Sequence, residues 1–406
     1  MDKEWAMEII QHISEFGKAD HGINRQAFSK ADMQAKQYVI KLMQDIGMVV
    51  RQDEIGNVIG RLEGMDPRLP AVLTGSHLDT VPDGGKYDGV VGVVGGLAAM
   101  RRLKERSTNH PLEVVVFAAE ESSRFAYATM GSKAMTGRGN SKAWRKATDC
   151  EGISFPQALR EQGLDFETIG NCMRNKQDIK AFLELHIEQG PVLEKEGHSI
   201  GIVEAIAAPT RLKITVQGVA GHSGTTPMED RHDALVSAAA IILAIQEVAL
   251  EQSRYGTVGT VGALKVYPGA MNVIPGLVEL WVDIRGVDQK SIIECLQDIK
   301  DAVSTIAEGQ ETSMAIEMLS ADKPVQMNQA ITQVIEKVCR KAGKTYKRMN
   351  SGAGHDAMNM AYLAPAGMIF IPCHDGLSHN PDEYVNPEDI MAGIDVLAET
   401  LYELAK

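Results

Sequence analysis

Apolar and polar positions along the chain alternate between two rhythms. Residues 4–15 and 30–47 repeat apolar side chains every three or four positions, which predicts two helices. The segment EIGNVIGRLEG suggests a strand and a turn, and residues 71–74 form a short apolar strand running into Gly75-Ser76-His77. Residues 89–106, GVVGVVGGLAAMRRLKER, predict a helix whose small side chains would let it pack close to a sheet. Residues 112–119 are continuously apolar and read as a buried strand. Residues 131–180 are polar and mixed, which predicts helices and loops. Residues 182–188 then alternate, with Leu183, Leu185 and Ile187 on one face and Glu184, His186 and Glu188 on the other. Alternation of strand and helix argues for a doubly wound α/β sheet.

The pattern changes near residue 210. Leu212, Ile214 and Val216 alternate with polar neighbours, a helix follows over 233–252, strands over 256–266 and 278–285, a helix over 289–307 and a strand over 312–319. The order β-α-β-β-α-β is the ferredoxin-like unit. From about 325 the α/β pattern resumes with a helix at 328–342, the loop NSGAGHDAMNMA, the apolar strand AGMIFIP, the loop HDGLSHNPDEY and a terminal helix. The expectation is a doubly wound domain with a mixed sheet, built from residues 1–210 and 325–406 and interrupted by an inserted α+β domain at 211–324. No internal repeat or low-complexity tract is visible.

Composition adds bounds to this picture. The 406 residues suit two domains, and 44% hydrophobic with 23% charged residues is ordinary for a globular chain. A net charge of −13 argues against nucleic acid, whose phosphates demand a basic face. It leaves room for an anionic substrate, because one local arginine can overrule the global field. The five cysteines are scattered, odd in number and lack CxxC spacing, against a disulfide framework or thiolate metal cluster. The opening MDKEWAMEII has no apolar core of signal-peptide length, and no run is read as approaching the roughly 20 apolar residues of a membrane span. The expected setting is cytoplasmic, without membrane.

Candidate chemistry gathers where strands are predicted to end. His77-Leu78-Asp79 is followed by Asp88 and then by Glu120-Glu121, while His186 and His379 sit in comparable settings. Ligand sites in open α/β sheets form at the carboxyl ends of strands. Imidazole nitrogen and carboxylate oxygen are zinc donors, and together these residues could hold two divalent metals sharing one carboxylate. In an extended segment Asp79 faces the same side as His77 and could orient its imidazole. Of the adjacent acids, one could bind metal while the other handles a proton.

Each residue alone has an ordinary reading: a surface HxD loop, a turn aspartate, a charged strand end, a solvent-facing histidine. Six of the 11 histidines (His12, His21, His110, His198, His232, His374) have no such context. The conjunction decides, because the candidate ligands all fall at predicted strand ends of one domain.

The motif order GSHLDTVPDGGKYDGVVGV, AEESSRF, HIEQGP, GHSGTTPM, MNVIPG, SGAGHDA and GLSHNPDEY resembles the metal-dependent aminoacylase/carboxypeptidase-like, M20-type hydrolases across essentially the whole chain. HIEQGP and SGAGHDA are similar to the amidase/hydantoinase/carbamoylase branch, which includes N-carbamoyl-L-amino-acid hydrolases, allantoate amidohydrolases and β-ureidopropionases. Plain peptidases of the wider family usually carry a carboxylate where His186 stands. The one nearby departure is Ser122, where many relatives have glycine.

The resemblance implies Asp88 as a carboxylate bridging two metals. It implies His77 and His186 as ligands of one metal, Glu121 and His379 of the other, Glu120 as general base and Asp79 as the aspartate behind His77. Gln189, His222, Asn272, Arg285 and Gly354 match substrate-contacting positions. Arg285 could grip a carboxylate through two parallel bonds, and His222, between glycines, could donate to an oxyanion. Gly354 could let a backbone N–H approach a ligand. The implied cofactor is a pair of zinc, manganese, cobalt or nickel ions, since His/carboxylate donors suit them all.

The implied reaction is hydrolysis of the carbamoyl (ureido) C–N bond of an N-carbamoyl-L-amino acid, releasing amino acid, carbon dioxide and ammonia. Allantoate, or an N-acyl amino acid or dipeptide, is the alternative substrate. A metal-dependent binding protein without catalysis is the reading from another class, and retention of Glu120 weighs against it. The resemblance also implies that the insert acts as a lid and dimerisation domain, hence a homodimer.

Overall fold

Four apolar strands, Leu112–Phe117, Ala71–His77, Ile179–Ile187 and Ala366–Ile371, lie side by side and parallel in the computed structural model, which describes residues 2–406. Every residue of three of them is buried, and in Ile179–Ile187 only Lys180 is not. Parallel strands need cover on both faces, so most of their side chains are apolar, although Ile179–Ile187 alternates with Glu184 and His186. Antiparallel strands extend this sheet on both sides: Val58–Leu62 and Val49–Gln52 beyond Leu112–Phe117, and Ile200–Ile206 beyond Ala366–Ile371. The sheet is therefore mixed, as the patterning predicts.

Helices Asp2–Glu15, Val90–Leu103 and Pro387–Ala405 contribute to one apolar core with the strands. The glycine- and alanine-rich helix is buried at every residue from Val90 to Met100. Two details go beyond the pattern. The polar face of Ile179–Ile187 is itself buried, with Glu184 at 0%, His186 at 1% and the following Glu188 at 8% exposure. The stretch 131–180 is helices and loops, as expected, and it also contributes to a core. Trp144, Phe155 and Phe166 from it join Phe28 and Phe125 in a second apolar cluster.

The chain divides into two compact units, the larger comprising 1–204, 327–351 and 355–406, and the smaller 205–326 with 352–354. The sequence reading placed the breaks at 210/211 and 324/325. The difference arises because Val325 pairs with Ile206 and Gln326 with Ala205, so these residues belong to the strand pair at the division. Residues 352–354, expected in the second part of the catalytic domain, group with the smaller unit, where Arg285 Nη1 donates to Gly352 O at 3.1 Å.

The smaller unit is a four-stranded antiparallel sheet in the order Ser313–Ala321, Ala208–Gln217, Leu277–Gly286, Val258–Tyr267. Helices Ala234–Gln252 and Gln289–Gly309 share its core. Along Leu277–Gly286 the alternation is regular: Val278, Leu280, Val282 and Ile284 are buried, while Trp281, Asp283 and Arg285 take the other face. Helix starts carry side-chain caps, with Asp233 accepting from Leu235 and Val236 N–H and Asp288 from Lys290 and Ser291 N–H.

One expectation needs correction. The segment Ala234–Tyr255, with mean hydropathy 1.8, is long and apolar enough by length and composition to cross a membrane. Within this fold, Ser237, Ala238, Ile241, Ile245 and Ala249 are buried, while Val236, Leu243 and Leu250 on its other side are exposed. A helix apolar on both faces escapes a simple count of unbroken apolar residues, because Gln246 and Glu247 interrupt it.

Candidate metal centre

The candidate metal ligands lie at or beyond the carboxyl ends of the four parallel strands, all in the larger unit. His77 is the last residue of its strand and His186 the penultimate residue of the next. Glu120 and Glu121 follow the end of Leu112–Phe117, and His379 lies in the loop after Ala366–Ile371. Three residues at these ends, Ala119, Gln189 and His379, have φ of 51°, 56° and 55°. Left-handed backbone at residues other than glycine is uncommon and strained, and such strain gathers where side chains must be aimed.

Asp88 is the hub. Its Oδ1 lies 3.3 Å from His77 Nε2 and 3.2 Å from His186 Nε2, and its Oδ2 lies 3.3 Å from His379 Nε2. His379 Nε2 is also 3.0 Å from Glu121 Oε1. The donors thus form two sets, His77–Asp88–His186 and Asp88–Glu121–His379, each facing one oxygen of a shared carboxylate. Two donors each 2.0–2.1 Å from a tetrahedral zinc would stand about 3.3 Å apart. The observed spacings match that value, so the donor set could hold two divalent cations with Asp88 between them.

Both buried histidines have their tautomer set from behind. His77 Nδ1 lies 2.9 Å from the main-chain carbonyl of Asp79, and His186 Nδ1 lies 2.9 Å from that of Ile187. With Nδ1 turned to a carbonyl, Nε2 is the ring nitrogen left to face Asp88, and it is the one that would ligate a cation. The backbone can pass close because residue 89 is glycine. Its φ is 68°, and a Cβ there would collide with the His77 ring.

Asp79 does something other than expected. Its carboxylate Oδ1 is 3.8 Å from His77 Nδ1, beyond hydrogen-bond reach. Instead Oδ1 accepts from Glu120 N at 3.2 Å and Oδ2 from Glu121 N at 3.0 Å. The left-handed Ala119 turns the chain so that both N–H groups meet this carboxylate. The two acids then diverge, with Glu121 toward His379 and Glu120 Oε2 3.9 Å from His77 Nε2. They diverge because of this turn, not because of strand alternation.

Burial shapes the titration of the cluster. Burial raises Glu120 well above the usual carboxylate range, opposed by His77 and reinforced by Glu121, Asp356 and Asp79. Burial also tends to raise Asp88, but its bonds to His186, His379 and His77 overcome that and hold it well below. His379 is pushed up to about 10 by Asp88 and Glu121. Burial lifts Asp79 to about 6.

Several participants carried no readable signal in the sequence. Arg25 is fully buried, and its Nε donates to Leu78 O at 2.7 Å while Nη1 donates to Ile13 O and Phe16 O at 2.9 Å. Its backbone N donates to Thr80 Oγ1 at 3.0 Å, so it clamps the loop carrying Asp79. Under His186, Glu184 accepts from Ser76 Oγ at 2.8 Å and from Ala357 N at 2.9 Å. His355 stacks edge-on against His186 with ring centres 4.5 Å apart. Lone polar residues of this kind look like surface until the strands around them are placed.

Among the substrate candidates, Gln189 joins the centre, its Nε2 donating to Asp88 Oδ2 at 2.7 Å. Its Oε1 is buried without a hydrogen-bond partner. His222, Asn272, Arg285 and Gly354 belong to the smaller unit. There His222 pairs with Val273 across a short two-stranded ladder, Ser223 N donates to Asn272 O at 3.1 Å, and Arg285 Nε donates to Asp283 Oδ2 at 3.0 Å.

With this geometry in view, residues 73–403 match the family model described as peptidase family M20/M25/M40. The chain belongs to that family. It is a hydrolase of C–N bonds. It is 39% identical to the N-carbamoyl-L-amino acid amidohydrolase of Geobacillus stearothermophilus, over 98% of this chain and 97% of the relative. It is also 39% identical to the ureidoglycolate hydrolase of Arabidopsis thaliana, over 98% of this chain and 85% of the relative. The crystal structure of a hydantoinase/carbamoylase-family amidase from Burkholderia multivorans matches with a TM-score of 0.91 at 33% identity, covering 99% of this chain and 98% of the other. The M20 assignment and the large mixed sheet agree with the sequence-based expectation.

Proposed function

We propose that this M20 amidohydrolase cleaves the carbamoyl C–N bond of an N-carbamoyl-L-amino acid. The observation that carries this reading is the pair of donor sets sharing Asp88, beside a buried glutamate that is in neither set. His77 and His186 would hold one divalent cation and Glu121 and His379 the other, with Asp88 common to both. Such a pair, when bound, supplies Lewis acidity that polarises a carbonyl and lowers the pKa of water.

Glu120 is assigned as general base. It takes a proton from the attacking water and returns it to the nitrogen that leaves as the amine of the amino acid. The carbamic acid formed with it breaks down to carbon dioxide and ammonia. Gln189 Oε1, buried and unpartnered, is an acceptor suited to a ureido N–H. Arg285 and Asn272 are assigned to the substrate carboxylate, His222 to the carbonyl oxygen, and Gly354 to a backbone contact. The ion pair with Asp283 holds the guanidinium of Arg285 ready for a planar, two-bond grip.

Equal identity to relatives named for different substrates means that overall similarity does not select one. N-carbamoyl amino acids, allantoate and ureidoglycolate share a ureido nitrogen and a carboxylate on one carbon, and that shared group is what the assigned residues address. The protein is placed in the cytoplasm on this reading.

The smaller unit is assigned as lid and dimerisation module. Its exposed apolar residues support a homodimer: Val236, Leu243 and Leu250 on the helix, and Val258 and Leu264 on the edge strand Val258–Tyr267.

The test is ammonia release across N-carbamoyl amino acids, allantoate, ureidoglycolate, N-acetyl amino acids and dipeptides, with Mn²⁺, Co²⁺, Ni²⁺ or Zn²⁺ supplied. Turnover highest on N-carbamoyl-L-amino acids supports the proposal. Turnover confined to dipeptides or N-acetyl substrates, or no turnover with any metal, overturns it.

A further inference from the structure

Glu383 is a buried acid in the exposed-looking loop SHNPDEY, with Asp382 and Tyr384 exposed on either side of it. Its Oε1 accepts the backbone N–H of Tyr87 at 2.7 Å and of Asp88 at 3.1 Å. Its Oε2 lies 3.1 Å from Ser378 Oγ, and that hydroxyl lies 2.7 Å from Asp88 Oδ2. A hydroxyl has one proton to give, and the shorter contact marks Asp88 as its acceptor. Asp88 is thus gripped at both ends: its N–H by Glu383 directly, and its carboxylate by the serine that stands against Glu383.

The opposite loop is shaped to receive this side chain. A Cβ on Gly85 would fall within 3.0 Å of Glu383 Oε1, Cδ and Cβ, closer than real Cβ atoms approach. Glu383 cannot swing aside without giving up the two N–H bonds, so the slot over Gly85 and the carboxylate belong together. The loop 378–383 also contains His379, whose Nε2 faces Asp88 Oδ2. One carboxylate therefore ties the turn that presents Asp88 to the loop that presents His379.

We infer that Glu383, seated over Gly85, is a positioning residue that sets the shared carboxylate of Asp88 for metal binding. The inference rests on the reading of Asp88 as a metal ligand. Partners behind a ligand commonly govern metal affinity by ~10–100-fold, because an unheld ligand must be ordered at the moment of binding.

The test measures affinity of the full chain for Mn²⁺ and for Zn²⁺ alone, by competition with a chromogenic chelator, alongside thermal melting of the metal-free protein. Glu383→Ala and Gly85→Ala should each weaken affinity by ~10–100-fold. Glu383→Gln, which keeps an acceptor for the N–H groups, should lose less than Glu383→Ala. Metal-free melting of Glu383→Gln should match the wild type, separating positioning from folding. If Glu383→Ala does not fold, Glu383→Gln and Gly85→Ala decide: weakened affinity in both supports the inference, and wild-type affinity in either overturns it. A wild-type chain that binds neither metal overturns the metal reading itself, whereas tight wild-type binding with unaffected variants overturns only the role of Glu383.

Discussion

Asp79 Oδ2 accepts the backbone N–H of Glu121 at 3.0 Å, while its Oδ1 accepts that of Glu120 at 3.2 Å. One buried carboxylate therefore aims both acids that follow the Leu112–Phe117 strand. Asp79→Asn keeps one acceptor and turns the other into a donor facing an N–H. That variant should retain metal and lose ~10–100-fold in kcat. Elemental analysis and steady-state kinetics check it, and wild-type kcat would show that the clamp is dispensable.

Glu120 belongs to neither donor set and is buried. Glu120→Gln should keep full metal content and lose at least the ~10²-fold attributed to general-base catalysis. Near-normal kcat at full occupancy would remove Glu120 from its role.

Asp88 faces three histidines with its two oxygens. Asp88→Ala should abolish activity and reduce bound metal, since the residue is common to both sets. His12, packed against Phe16 and Tyr38, serves as the control, and His12→Ala should change neither. Two metals per chain in Asp88→Ala would contradict the bridging assignment.

For Arg285, a two-bond grip on carboxylate is geometrically demanding, so lysine should replace it poorly. Arg285→Lys should lose much of kcat/KM on the acid substrate and little further on its amide, for which the wild type is already poor. The double comparison isolates the pairwise term. Equal wild-type turnover of acid and amide would count against the assignment.

Asp356 supplies a pH test. Burial, then the neighbouring Glu184, raises its carboxyl from 3.8 to about 8. Its Oδ1 receives Ser132 Oγ at 2.5 Å, while Oδ2 is buried without a partner. Across that window the folded chain holds a proton that the unfolded chain has released. The stability this contributes is complete below the unfolded value and is lost as pH rises through about 8. Asp356→Asn stays neutral, so its metal-free melting temperature should gain on the wild type as pH climbs from 6 to 8.5. Parallel curves for the two proteins would refute the assignment.

Much of the architecture was legible from the residues. Apolar runs marked three of the parallel strands, because strands covered on both faces favour apolar side chains, while Ile179–Ile187 was marked by alternation. Regular alternation around Leu212–Val216 and Val278–Ile284 marked a half-covered sheet, because only one face of each strand is buried there. The metal-ligand candidates were legible because histidines and acids stood together just past those runs; carboxylates alone, 54 in this chain, would not have marked them. The helix over 233–252 was legible too, but a count of unbroken apolar residues missed that it is apolar on both faces, because Ser237, Gln246 and Glu247 interrupt the run.

Local pattern set which residues could meet; the tertiary structure decided which do. Asp79 looked like a partner for the His77 ring, yet its carboxylate holds Glu120 and Glu121, because the turn at Ala119 brings their N–H groups to it. Glu383 was one acid among several in a polar loop, and only the slot above Gly85 makes it a clamp on Asp88. Arg25 lies 53 residues before the carbonyl of Leu78 that it holds. Hydrogen bonds across such separations leave no period in the sequence, since they depend on where the chain returns and not on the spacing within any one element.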